Sequence, residues 1–202
     1  GVERLQTLAH KLDPNRLTTS SNLYCVKNNS PLNHITDVVA YNVYFGWYYG
    51  QMEEYANFLD SFHADNPDVP LGISEYGVDA NPAFHSDAPH VKDYSEEFQC
   101  RFHETVYPIL NSRPYVWGTF VWNLFDFGSA MRNEGGSKGR NCKGLVTYDR
   151  SLRKDAFYYY KAQWSSKPFV HINSRRYEQR ASDVITVRVY SNQPSVSLEV
   201  DG

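Results

Sequence analysis

The clearest period lies at the start of the chain. Leu5, Leu8, Ala9 and Leu12 fall at i, i+3, i+4 and i+7 and stop before Asp13-Pro14, which predicts an amphipathic helix over about residues 2 to 12. A Thr- and Ser-rich run over residues 16 to 24 and a largely apolar run over residues 37 to 44 then have the length and composition of strands. Tyr55, Phe58, Leu59 and Phe62 share one helical face, and Asp65-Asn66-Pro67 breaks that helix. The run over residues 69 to 75 predicts a buried strand ending at Tyr76-Gly77. A second helix opens at Ser95-Glu96-Glu97, carries Phe98, Phe102, Val106, Ile109 and Leu110 on one face, and ends at Arg113-Pro114. Residues 115 to 123 read as a fourth strand, followed by a Gly-rich loop (Gly128, Gly135, Gly136, Gly139) and a helix from about 155 to 164. Strands alternating with helices predict an α/β fold with a parallel sheet. Such a sheet needs its faces and edges covered, which four strands alone do not achieve.

Beyond Pro168 the period changes. Ile185, Val187 and Val189 alternate with Thr186, Arg188 and Tyr190, Asn192-Gln193-Pro194 turns the chain, and Val196, Leu198 and Val200 alternate with Ser197 and Glu199. This pattern predicts antiparallel β structure and a domain division into residues 1–167 and 168–202. The 35 residues from 168 onward fall well short of the roughly 100 of an immunoglobulin-like sandwich, so the second domain is expected to be cut short.

Composition narrows the function classes. With 20 Lys and Arg against 23 Asp and Glu the net charge is −3, which argues against nucleic-acid binding. No apolar run approaches the roughly 18 residues of a membrane span, so no membrane partner is expected. The first residues do not read as a signal peptide, and the compartment is not legible. Cys25, Cys100 and Cys142 are odd in number and far apart, giving neither a disulfide framework nor a zinc spacing. The seven histidines, His10, His34, His63, His85, His90, His103 and His171, also lack metal-ligand spacing. Aromatic residues are the outlier: 16 Tyr, 11 Phe and 4 Trp suit a site for ligands with apolar faces and hydroxyl rims.

One carboxylate stands out by position. Glu75 ends an apolar strand, where parallel β/α folds place their catalytic groups, and a carboxylate there must be hydrogen-bonded or paired to stay ionised. From position alone, catalysis and a structural role capping a loop are both open.

Five strings, YNVYFGWYYG (41–50), GISEYGVDA (72–80), YSEEFQC (94–100), FVWNLFDF (120–127) and GRNCKGLVTYDRSLRKDAFYYYKAQW (139–164), occur in the order found in glycoside hydrolase family 2, and the chain resembles that family along essentially its whole length. The run from Arg153 to Ile172, continuing to the final VSLEVDG, is most similar to bacterial β-galactosidases. The resemblance implies a (β/α)8 TIM barrel flanked by β-sandwiches, with this chain holding strands five to eight and the start of the following immunoglobulin-like sandwich.

The implied chemistry is retaining β-galactoside hydrolysis by double displacement, in which two carboxyl groups about 5 to 5.5 Å apart flank the anomeric carbon. On this resemblance Glu75 in Ser-Glu-Tyr-Gly is the nucleophile, Tyr44 hydrogen-bonds and orients it, and Trp122 floors the sugar subsite. Tyr48 and Trp47 either wall the cleft or pack beside the strand. The acid/base is the Glu of an Asn-Glu pair at the end of strand four, ahead of Gly1. Asn133-Glu134 spells the dipeptide but follows strand eight and is not expected to serve.

Asn141 and Lys143 form an Asn-x-Lys pair that receives the sugar carboxylate in the related β-glucuronidases. Galactosidases similar to this chain carry the pair too, so it leaves the two substrates undecided, with a solvated loop as the other reading. Structural roles are expected for Asp79 and Asp126. The family's magnesium ligands cluster around the acid/base, so neither metal nor cofactor is expected here. The expected partners are a β-galactoside or related oligosaccharide and the remainder of the parent barrel, without which the chain is expected to be inactive. The alternatives are a β-glucuronidase of the same family, a non-catalytic carbohydrate-binding chain and a scaffold module.

Overall fold

A computed structural model describes residues 1–201; Gly202, the last residue of the predicted second domain, lies outside the described residues. The contacts divide the chain into two units, residues 1–77 with 105–122, and residues 78–104 with 123 onward.

The first unit is built on the predicted alternation. Strands β1 (Thr19–Leu23), β2 (Val38–Asn42), β3 (Leu71–Tyr76) and β4 (Val116–Val121) form one parallel sheet in chain order. Its two inner strands are the apolar ones: Val39, Ala40 and Tyr41 of β2 and Leu71 and Ile73 of β3 are buried. Helix α2 (Glu54–Asp65) presents Tyr55, Leu59 and Phe62 to the core, as the i, i+4, i+7 spacing requires. Tyr41 meets Phe58 and Phe62 edge to face at 5.3 and 5.6 Å between ring centroids, a geometry that aromatic quadrupoles favour.

The outer elements behave differently. Helix α1 (Val2–Leu12) forms as predicted, yet none of its residues is buried, and Leu5 and Leu12 are 68% and 76% exposed. It is tied down by a polar contact instead, His10 Nε2 to Asp37 Oδ2 at 2.9 Å. At the other edge, the Arg113 guanidinium grips both Asp60 oxygens at 2.7 and 2.8 Å, a paired geometry stronger than a single surface contact.

The β2–β3 and β3–β4 pairings both slip near the carboxyl ends of their strands. The β2–β3 register shifts between Tyr41 and Asn42 so that Asn42 faces Glu75, and the β3–β4 register shifts between Ile73 and Tyr76. Such irregularities re-aim side chains at strand ends. Just beyond them, a Cβ on Gly77 would lie 2.1 Å from the Trp122 carbonyl oxygen, so only glycine allows the two strand ends to approach this closely.

The second unit departs from the sequence expectation in two places. The predicted Gly-rich loop is an antiparallel hairpin of β5 (Phe127–Glu134) and β6 (Ser137–Asn141), with Gly135 and Gly136 at φ 59° and 71°. Positive φ at both turn residues fits a two-residue hairpin connection, which Gly-Gly supplies without steric cost. Helix α3 (Glu96–Asn111) begins in this unit and ends in the other, and α4 (Asp155–Trp164) buries Tyr159 and Tyr160.

Among the described residues, antiparallel pairing beyond residue 168 is limited to β7 (Val170–Ile172) and β8 (Val189–Ser191). The predicted strands at 185–187 and 196–200 are not formed, and Val184 and Val200 are 85% and 75% exposed. Alternation alone does not make a strand: it needs a hydrogen-bonding neighbour and a cover for its apolar side, and none pairs with these segments among the described residues. No helix among the described residues is long and apolar enough to cross a membrane.

Candidate active site

In the first unit the site grows from the carboxyl ends of β2 and β3. The Glu75 carbonyl accepts the Val43 N–H at 2.9 Å, and Ser74 Oγ donates to Asn42 Oδ1 at 2.7 Å, so the backbone on either side of the slipped register is pinned. Tyr44, two residues beyond β2, then directs its hydroxyl to Glu75 Oε2 at 2.7 Å. Both side chains are half-buried. Burial, and next the hydrogen bond and charge of Glu75, push the Tyr44 phenol well above its ordinary range, so Tyr44 remains a donor. The phenol of Tyr44 thus holds one oxygen of the Glu75 carboxylate.

Aromatic residues surround this pair unequally. Tyr48 is 47% exposed and lies edge-on to Tyr44 at 5.3 Å. Trp47, suggested above as a cleft wall, is buried in the core, with its amide bonded to the Tyr44 carbonyl at 3.1 Å. It packs against the core and, at 2% exposure, is not available to wall a cleft. Trp122, the residue after β4, is half-buried, and its N–H donates to the Tyr76 carbonyl at 2.8 Å. That bond places it at the same end of the sheet as Glu75.

The other candidates lie in the second unit, inside a network of charges. Lys143 is buried and ion-paired with Asp79, which also accepts the Arg132 guanidinium at 3.1 Å and the Cys142 N–H at 3.0 Å. Asn141 is buried, and its Oδ1 accepts the Lys143 N–H at 3.0 Å. The solvated loop considered for these residues is therefore not realised. Arg132 continues to Glu134 at 3.3 Å, and Glu134 accepts the Tyr94 hydroxyl at 2.6 Å.

Asp126 pairs with buried Lys154 at 2.8 Å and accepts the Gly144 N–H at 2.8 Å. Burial raises the Asp126 carboxyl above the usual range, with the Lys154 charge opposing it. Sequence reasoning did not single out Lys154 or Arg132: their partners lie 28 and 53 residues away, and no local spacing marks such pairs. Among the described residues no group of three or more His, Cys, Asp or Glu side chains is arranged to hold a metal ion.

Comparison with known proteins adds a second line of observation. No family model matches the chain. A β-glucuronidase of Bacteroides fragilis is 41% identical over 207 residues, covering all of this chain and 29% of the relative. The crystal structure of an FMN-binding β-glucuronidase from Faecalibacterium prausnitzii L2-6 superposes with a TM-score of 0.92 at 52% identity, over 95% of this chain and 30% of that one. A Bacteroides fragilis structure assigned as a candidate β-galactosidase superposes with a TM-score of 0.90 at 35% identity, over 96% of this chain and 30% of that one. The homologues are thus β-glycosidases by name, and the chain spans about three-tenths of their length.

Proposed function

We propose that this chain forms part of a retaining β-glycosidase of the glycoside hydrolase family 2 type that acts on β-glucuronides. The observation that carries the reading is the Tyr44 hydroxyl on Glu75 Oε2 at the carboxyl ends of parallel strands, a held carboxylate with a second oxygen left for attack. In this reading the free oxygen of Glu75 attacks the anomeric carbon and the bond to the leaving oxygen breaks. That oxygen takes a proton from an acid outside this chain, and water then releases the sugar from Glu75. Tyr44 orients the nucleophile, and Trp122 and Tyr48 offer flat surfaces to the sugar.

Glucuronide is preferred to the galactoside first expected because the 41% identical relative and the 52% identical structure both carry the β-glucuronidase name, whereas the β-galactosidase assignment belongs to a 35% identical neighbour. Asn141 and Lys143 carry over as candidate contacts to the sugar carboxylate, whose charge a cationic donor satisfies. The four parallel strands are read as the second half of a barrel over residues 1–167, with residues 168–202 opening a sandwich, and the uncovered apolar face of α1 supports further polypeptide around it.

The test is turnover of 4-nitrophenyl β-D-glucuronide and β-D-galactoside by the full-length protein, with and without Glu75→Gln. Glucuronide should be the better substrate, and the variant should lose about 10⁴-fold on both, as nucleophile removal does elsewhere. A galactoside preference would overturn the substrate, and an active Glu75→Gln enzyme would overturn the nucleophile.

A further inference from the structure

The hydroxyl that holds Glu75 is only as well placed as the backbone that carries it, and that backbone has its own clamp. Tyr44 lies outside any strand, so its N–H has no ladder partner; it donates to the phenol oxygen of Tyr49 at 2.9 Å. The main chain of Tyr49 closes the same loop by accepting the Gly46 N–H at 2.9 Å. The ring of Tyr49 is fixed from two sides: it stacks on Tyr24 at 3.9 Å with planes 22° apart, and it meets Phe45 edge-on at 5.2 Å. Burial pushes the Tyr49 phenol up to about 12, which keeps it neutral beside the amide it receives.

A tyrosine five residues downstream, held flat against Tyr24, thus ends on the amide of the residue whose side chain reaches the carboxylate. We infer that Tyr49, backed by Tyr24, is a positioning residue that sets Tyr44 on Glu75. It touches neither substrate nor carboxylate in this role, and the assignment rests on the proposed reading of Glu75 as nucleophile. Its phenol oxygen matters as the acceptor, and its ring matters as the part that Tyr24 immobilises. Placement errors of an ångström at such groups are enough to slow the chemical steps.

Two measurements test this on the full-length protein. In the first, amide hydrogen exchange at Tyr44 should accelerate about five- to tenfold in Tyr49→Phe, the factor that loss of one neutral hydrogen bond gives. In the second, 4-nitrophenyl glucuronide turnover is compared for wild type, Tyr44→Phe, Tyr49→Phe and the double variant. Tyr49→Phe alone should lower kcat about five- to tenfold with KM falling alongside it, as expected when the release step is slowed. In the Tyr44→Phe background the same change should cost less than about twofold, because the group it positions is gone.

Losses that multiply, an unchanged kcat, or unaltered exchange at Tyr44 would each overturn the assignment. Tyr24→Leu, which removes the stack and leaves the hydrogen bond, provides a second variant and should give a smaller loss with the same dependence on Tyr44. A wild-type protein that cleaves no glycoside while Tyr49→Phe accelerates exchange would sink the proposed function and leave only the clamp.

Discussion

Replacing Tyr44 by Phe removes one oxygen and keeps the ring, so it isolates the hydrogen bond to Glu75. At 2.7 Å, to a half-buried carboxylate and from a phenol held protonated, this is a charge-assisted bond with a net strength of about 1.5 to 3 kcal/mol. At about 1.4 kcal/mol per factor of ten, the loss converts to roughly 10- to 150-fold in rate.

The two chemical steps do not share this loss equally. In the proposed double displacement, attack by Glu75 would consume its charge and weaken the bond from Tyr44, and release of the sugar by water would return Glu75 as a carboxylate and strengthen the bond. The loss should therefore fall mainly on release. With a 4-nitrophenyl glucuronide, whose leaving group makes the first step fast, Tyr44→Phe should show a nitrophenol burst equal to the enzyme concentration, then a depressed kcat with a KM that falls alongside it. Stopped-flow absorbance on the full-length enzyme reads both phases. A kcat within about threefold of wild type, or a loss carried by a raised KM without a burst, would refute the assignment of Tyr44 as the donor to the departing nucleophile.

Lys143→Met takes one of the cationic partners from buried Asp79, which keeps Arg132 and the Cys142 N–H, and should destabilise the chain by about 1.5 to 3 kcal/mol in urea unfolding; a variant as stable as wild type would contradict the pairing. In the full-length enzyme the same Lys143 variant should lower the ratio of glucuronide to galactoside turnover. His103 is buried against the Tyr160 hydroxyl at 2.8 Å, and burial holds its imidazole down at about 3 from an ordinary 6.5. The unfolded chain therefore binds the extra proton between those values, and stability should fall as pH drops through that window, by up to about 1.4 kcal/mol per pH unit. His103→Gln should flatten the slope measured by urea midpoints from pH 6.5 downward, and an unchanged slope would remove His103 as its source.

Local periodicity alone was enough for the helices and inner strands of the first unit, because the spacing of Tyr55, Leu59 and Phe62 and the apolar runs around Val39 and Ile73 decide which face can be buried wherever the rest of the chain goes. Glu75 at a strand end was legible for the same reason. The Gly135-Gly136 hairpin was hidden because glycine marks a loop and a tight turn equally well in sequence, and only the pairing of Phe127 with Asn141 separates them. The alternating segments after residue 184 erred the other way, since a pattern fit for a strand stays extended without a neighbour to bond.

The site itself is a matter of register. One slip between Tyr41 and Asn42 sets Glu75 opposite Asn42, and Tyr44 then reaches it across 31 residues of chain. Whether Tyr48 or Trp47 faces solvent, and that Lys143 finds Asp79 across 64 residues, are likewise settled only when strands pair and loops close. Side-chain type and spacing act within a few residues and were determined by the sequence, whereas hydrogen bonds and ion pairs between distant segments depend on backbone positions that only the packed fold defines.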